Sequence, residues 1–93
     1  MSKTIQYFKE ITQYPRPSKQ EEKIRNFLIS WAEKREYRYK VDQIGNLIIY
    51  VDSKNSLSKE IIILQSHMDM VCVKTPESTH NFLTDSIQTY EKD

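Results

Sequence analysis

The feature that most constrains this chain is a change of hydrophobic period. From Ile24 the apolar positions run Ile24, Phe27, Leu28, Trp31 and Ala32, spaced i, i+3, i+4, i+7, i+8. That spacing places them in one stripe of a helix. From Tyr37 the period drops to two, with Tyr37, Tyr39 and Val41 on one side of a strand and Arg38 and Lys40 on the other. A helix followed at once by a strand points to the α/β class. Lys23, Asn26, Ser30 and Glu33 fall on the opposite helix face, which reads as solvated surface.

The flanking segments extend this pattern. Ile5, Phe8 and Ile11 repeat at helical spacing within Lys3 to Tyr14, and the two prolines of "YPRPS" end that first helix. Ser18 with Glu21 three positions on has the form of a capping box, so the second helix is expected to open there. "DQIGN" contains the only glycine, Gly45, beside Asn46, and should turn the chain from the first strand into a second over Leu47 to Val51. "DSKNSLSKE" reads as a polar loop. In Glu60 to Ser66, Ile61 to Leu64 are apolar without alternation, which predicts a third strand covered on both faces. After Val71 no period stands out. Phe82, Leu83 and Ile87 are scattered anchors in what reads as loop with one short strand.

The expected fold is therefore α/β: two N-terminal helices packed on a small mixed sheet, in the order helix, helix, strand, strand, strand. At 93 residues it should form a single unit, residues 1–93. Hydrophobic residues make up 38% and charged residues 29%, with a net charge of +1, a balance that fits a globular chain and gives no basic stripe for nucleic acid. No apolar run approaches the roughly 20 residues of a membrane span. The start "MSKTIQYFKE" lacks a secretory core, and the single cysteine, Cys72, has no internal disulfide partner, so a cytoplasmic setting is expected.

The chemistry gathers at the end of the third segment, in "QSHMDMV". Open α/β sheets bind ligands at the carboxyl ends of their strands. On an extended backbone His67 and Asp69 point to the same side, so the carboxylate can take one imidazole N–H and leave the other nitrogen for a metal. By itself His-x-Asp fits a structural hydrogen bond more readily than a metal site. His80 reads as a surface loop residue, Cys72 as a small apolar residue, and Met68 and Met70 as core filling. Tyr37, Tyr39 and Tyr50 read as strand packing rather than a platform for bases.

Taken together, "YPRPSKQEE" opening a helix, "DQIGN" in a turn and "IIILQSHMDMV" closing a strand resemble the bacterial aminoacyl-histidine dipeptidases, also called cytosol non-specific dipeptidases. These are cocatalytic zinc peptidases related to carnosinase and aminoacylase. The resemblance runs from about Tyr7 to Tyr90. It implies the N-terminal portion of a zinc-exopeptidase catalytic domain, acting on dipeptides. His67 is similar to the first histidine ligand of one zinc ion, and Asp69 to the catalytic aspartate that steadies it. His80 takes no catalytic role, and Ser18, Glu21, Gly45 and Asn46 match positions whose roles are structural.

In that family two zinc ions share a bridging aspartate, and a glutamate deprotonates the attacking water. The resemblance implies that those ligands, and any dimerisation domain, lie beyond the portion this sequence covers. A catalytic zinc takes three protein ligands, and one is implied here, so at most weak zinc binding and no hydrolysis are expected of the chain alone. Asp85 and Glu91 have no spacing that suggests ligands. Two alternatives stay open: a non-catalytic remnant or interaction module that self-associates through uncovered sheet surface, and a related amidohydrolase for N-acyl amino acids.

Overall fold

A computed structural model of the chain describes residues 2–52 and 60–92. Its elements are α1 (Lys3–Ile11), α2 (Glu22–Lys34), β1 (Arg38–Val41) and β2 (Leu47–Tyr50). The chain divides into two compact units, Met1–Phe27 with Met68–Asp93, and Leu28–His67. Most of the polar loop "DSKNSLSKE" lies outside the described residues.

In the first unit, α1 is capped by Ser2, whose hydroxyl accepts the Ile5 N–H at 3.2 Å. The helix stops at Ile11, short of Tyr14. Pro15 disfavours the helical conformation at Tyr14, and the end is tied off before it is reached. Thr12, buried at 3% exposure, donates its hydroxyl to the Lys9 carbonyl at 2.7 Å, and Arg16 Nη1 donates to the Ile11 carbonyl at 2.8 Å. Desolvation lowers the Arg16 guanidinium pKa from its ordinary value. The α1 stripe is only thinly covered, with Ile5 and Phe8 exposed and Ile11 half-buried. Further packing comes from Tyr14 stacked on Phe27, ring centres 4.4 Å apart, and from the Ile87 N–H donating to the Thr12 carbonyl at 3.0 Å.

The expected capping box at Ser18 is corrected. α2 begins at Glu22, and Pro17 to Gln20 form a tight turn closed by the Gln20 N–H on the Pro17 carbonyl at 2.9 Å. Lys19 takes a positive φ of 71° in that turn. Glu21 does reach back, but to the Lys19 N–H, at 2.8 Å. The Ser18 hydroxyl is engaged elsewhere. The helical stripe itself is as the period implies: Ile24 and Ala32 are buried, Phe27, Leu28 and Trp31 half-buried, and Lys23, Asn26, Ser30 and Glu33 exposed.

In the second unit α2 ends in a Schellman motif. The Tyr37 N–H donates to the Ala32 carbonyl at 2.9 Å and the Glu36 N–H to the Glu33 carbonyl at 3.0 Å, with Glu36 at φ 59°. The hydrophobic contact that accompanies this motif is Tyr37 against Trp31, ring centres 5.9 Å apart. Arg35 covers the Trp31 ring at 4.0 Å. The alternation read from Tyr37 to Val41 thus starts as a helix stop and becomes strand at Arg38.

β1 and β2 pair antiparallel, with Arg38 opposite Tyr50, Tyr39 opposite Ile49, Lys40 opposite Ile48 and Val41 opposite Leu47. One face holds the half-buried Leu47 and Ile49 with Tyr39 and Val41. The other carries Arg38 over the Tyr50 ring and in an ion pair with Asp52 at 3.3 Å. Tyr39 donates to Glu33 at 3.0 Å, and that carboxylate raises the tyrosine pKa.

The turn between the strands is organised by Asp42. Its Oδ1 accepts the N–H groups of Ile44, Gly45 and Asn46 at 2.8–2.9 Å, and its Oδ2 accepts from Asn46 Nδ2 at 2.8 Å. Gly45 has a positive φ of 102°, which glycine adopts without steric cost. The Asn46 side chain, then the backbone donors, hold the Asp42 carboxyl below its ordinary value of 3.8, against a smaller opposing push from desolvation. A depressed carboxyl contributes stability above its unfolded pKa and loses it as pH falls through the folded one. Hairpin amide shifts should therefore hold constant above about pH 4 and move below it. In Asp42→Ala that acid transition should vanish; its persistence would assign it to another group.

The third strand is the main correction. Among the described residues the sheet has two strands, β1 and β2, and is antiparallel rather than mixed. Residues 60–66 lie in neither helix nor strand, and Ile61 to Leu64 are 83–93% exposed. Covering both faces of an inner strand takes layers on both sides. The described chain has two helices and one hairpin, too little to build them. Likewise residues 71–92 contain two turns, at 76–77 and 82–84, and no strand.

Candidate functional site

The described part of the site is built where the Asp69 segment meets the turn before α2. Pro17 and Met70 form an isolated parallel bridge, in which the Met70 N–H donates to the Arg16 carbonyl at 2.9 Å. Pro17 has no N–H of its own, so the carbonyl of its neighbour takes the bond. One residue to either side of this bridge, the Ser18 hydroxyl donates to Asp69 Oδ2 at 2.6 Å. That is at the short end of the range for a hydroxyl donating to an oxygen acceptor. Asp69 is half-buried.

His67 is exposed and lies on no helix. It is the last residue of the second unit, whereas Asp69 stands in the first. Because residues 60–66 do not form a strand, His67 is not placed at a sheet rim, as the sequence had suggested. Met68 is half-buried and Met70 is 39% exposed, so neither fills a core. Cys72 is exposed, with its sulfur 3.7 Å from the Met70 carbonyl.

His80, Asp85 and Glu91 have local partners. His80 packs edge-on against Phe82, ring centres 5.2 Å apart, and its carbonyl accepts from Lys74 Nζ at 2.8 Å. Asp85 accepts the Asn81 N–H at 2.7 Å, closing a loop turn. Glu91 faces Lys9 at 3.6 Å. Among the described residues no three His, Cys, Asp or Glu side chains are grouped so as to hold a metal ion.

The residue that sequence reasoning missed is Ser18 as a partner of Asp69. Its pattern with Glu21 pointed to a helix cap, and the two bonded residues are 51 positions apart. Nothing in either local stretch signals the other. The described residues also include no helix long and apolar enough to cross a membrane.

With the geometry in view, the comparison with known proteins points to one class, the dipeptidases. The chain is 32% identical over 84 residues to the cytosol non-specific dipeptidase of Escherichia coli (strain K12). That match covers 89% of this chain and 17% of the relative, so the chain spans about a sixth of the length of the protein it matches. The likeness to dipeptidases read from the three motifs is thus shown at the level of the sequence. No family model and no solved structure matches the chain.

Proposed function

We propose that this chain is a portion of the catalytic domain of a zinc-dependent dipeptidase, in which His67 is a metal ligand and Asp69 steadies it. The 32% identity to a dipeptidase over most of the chain carries this reading. The tethering of the Asp69 segment by Arg16 and Ser18 supports it, because a carboxylate that must hold an imidazole in place is useful only if it is itself held. Unblocked dipeptides in the cytoplasm are the substrates of this reading. N-acyl amino acids are the alternative within the same chemistry.

On this reading the 93-residue chain alone hydrolyses nothing, since one histidine is too few ligands for a catalytic zinc. Incubation of the purified chain with dipeptides and zinc should give no turnover above the zinc blank. Turnover that disappears in His67→Ala would overturn the reading. Calorimetric titration should show at most weak zinc binding, lost in the same variant.

A second reading, an interaction module without chemistry, is favoured by one observation. Ile61 to Leu64 expose four consecutive large apolar side chains. Extended apolar segments of this kind invite pairing with another chain. Light scattering behind a sizing column tests it: concentration-dependent oligomers support self-association, and a clean monomer at high concentration counts against it.

A further inference from the structure

We propose that two copies of this chain pair through Ile61 to Leu64 as antiparallel strands, in the register that sets Ile63 opposite the partner's Ile63. The pairing rests on the self-association given above as the second reading, and specifies which segments meet and how. Ile61 to Leu64 are 83–93% exposed, and among the described residues no hydrogen bond engages their backbone. Isoleucine favours strands, and a run with open N–H and C=O groups is a template for another strand. A second copy supplies the same four apolar residues.

Symmetry sets the direction. Parallel pairing of identical strands joins unlike edges, so it never closes and grows into a fibre; antiparallel pairing about a two-fold axis uses the same edge of both copies and closes. That axis must pass between a residue and its own copy, which leaves few registers. Centred on Ile62, Leu64 would stand opposite the partner's Glu60, a carboxylate against an apolar side chain. Centred on Ile63, Ile62 stands opposite the partner's Leu64, Ile61 opposite the partner's Gln65 and Glu60 opposite the partner's Ser66. Centres further out match fewer apolar residues. Side chains alternate, so Ile62 and Leu64 of both copies share one face and Ile61 and Ile63 the other. Both faces stay apolar, and a two-stranded ribbon alone is marginal in water, so two ribbons are expected to stack.

The test uses the 93-residue chain with its native thiol removed by Cys72→Ser and one cysteine introduced by Ile61→Cys, Ile62→Cys or Ile63→Cys. Each is oxidised with oxidised glutathione, covalent dimer is followed on non-reducing gels, and light scattering gives the mass of the parent. Opposite residues have Cα atoms about 4.5–5.5 Å apart, within disulfide reach. In the proposed register the two copies of position 63 meet this condition, whereas those of position 62 lie about 7–8 Å apart on a diagonal and those of position 61 about 13 Å apart. Ile63→Cys should therefore cross-link at least about tenfold faster than the other two, and denaturing urea should level the three rates.

Fastest cross-linking at position 62 would mean a shifted register, and equal rates at all three in native buffer would mean parallel or unspecific contact; either overturns the proposal. So would the absence of a fast position, as when the segment pairs with the hairpin of the other copy. In these cases oligomers in light scattering leave self-association standing and remove only the register. A parent that stays monomeric at high concentration removes both.

Discussion

Ala32→Asp is expected to unfold the second unit. Ala32 is fully buried, at 0% exposure, and its carbonyl accepts the Tyr37 and Arg35 N–H groups at the end of α2. A carboxylate in that position has neither water nor a partner, and an uncompensated buried charge costs on the order of 4 kcal/mol. Small domains have roughly 0.05–0.15 kcal/mol of stability per residue, and one with little buried apolar surface stands at the low end. The substitution thus removes most of what there is. Far-UV circular dichroism should lose its helical signal, and Trp31 fluorescence should shift red at room temperature. Ala32→Ser, which adds one hydroxyl that can bond to its own helix, should cost only about 1 kcal/mol and stay folded. An aspartate variant with the parent's urea midpoint would show that Ala32 is not enclosed in solution.

Ile62→Lys should do the opposite, leaving stability unchanged while abolishing association. Ile62 is 87% exposed, between Ile61 at 84% and Ile63 at 83%, with Leu64 at 93% following. No burial is lost by replacing it, so the unfolding free energy should change by less than about 0.5 kcal/mol. Between chains the effect is large. Burying an isoleucine or leucine contributes about 1.5–3 kcal/mol, so four in a row can drive pairing. A lysine in the middle places a charge in the dry interface, which is how natural edge strands avoid each other. Light scattering should show oligomers for the parent and monomer for the variant. If instead Ile62→Lys lowers the unfolding midpoint, the segment is packed within the chain in solution.

The elements that were legible in the sequence are those specified within a few residues. The α2 stripe from Ile24 to Ala32 is a spacing rule, and the hairpin turn is Gly45 at positive φ with Asp42 gathering its N–H groups. Helix starts were less legible. Ser18 and Glu21 satisfy the capping pattern, yet a hydroxyl bonds to the acceptor that the tertiary structure brings to it, and here that is Asp69. The third strand failed for another reason: an apolar run states what a segment tolerates, while its burial depends on how much other chain is present to cover it. The same limit applies to the site, where nothing local to Asp69 announces the Ser18 hydroxyl 51 positions away.

By itself, then, the sequence determined α2, the hairpin and its turn, and the likeness to dipeptidases, because periodicity, the freedom of a glycine without Cβ and motif order are written in neighbouring residues. Only the tertiary structure decided that Ser18 bonds to Asp69 and that Ile61 to Leu64 lie open. Both depend on which distant segments meet, and that is set by the whole chain's competition for burial and hydrogen bonds.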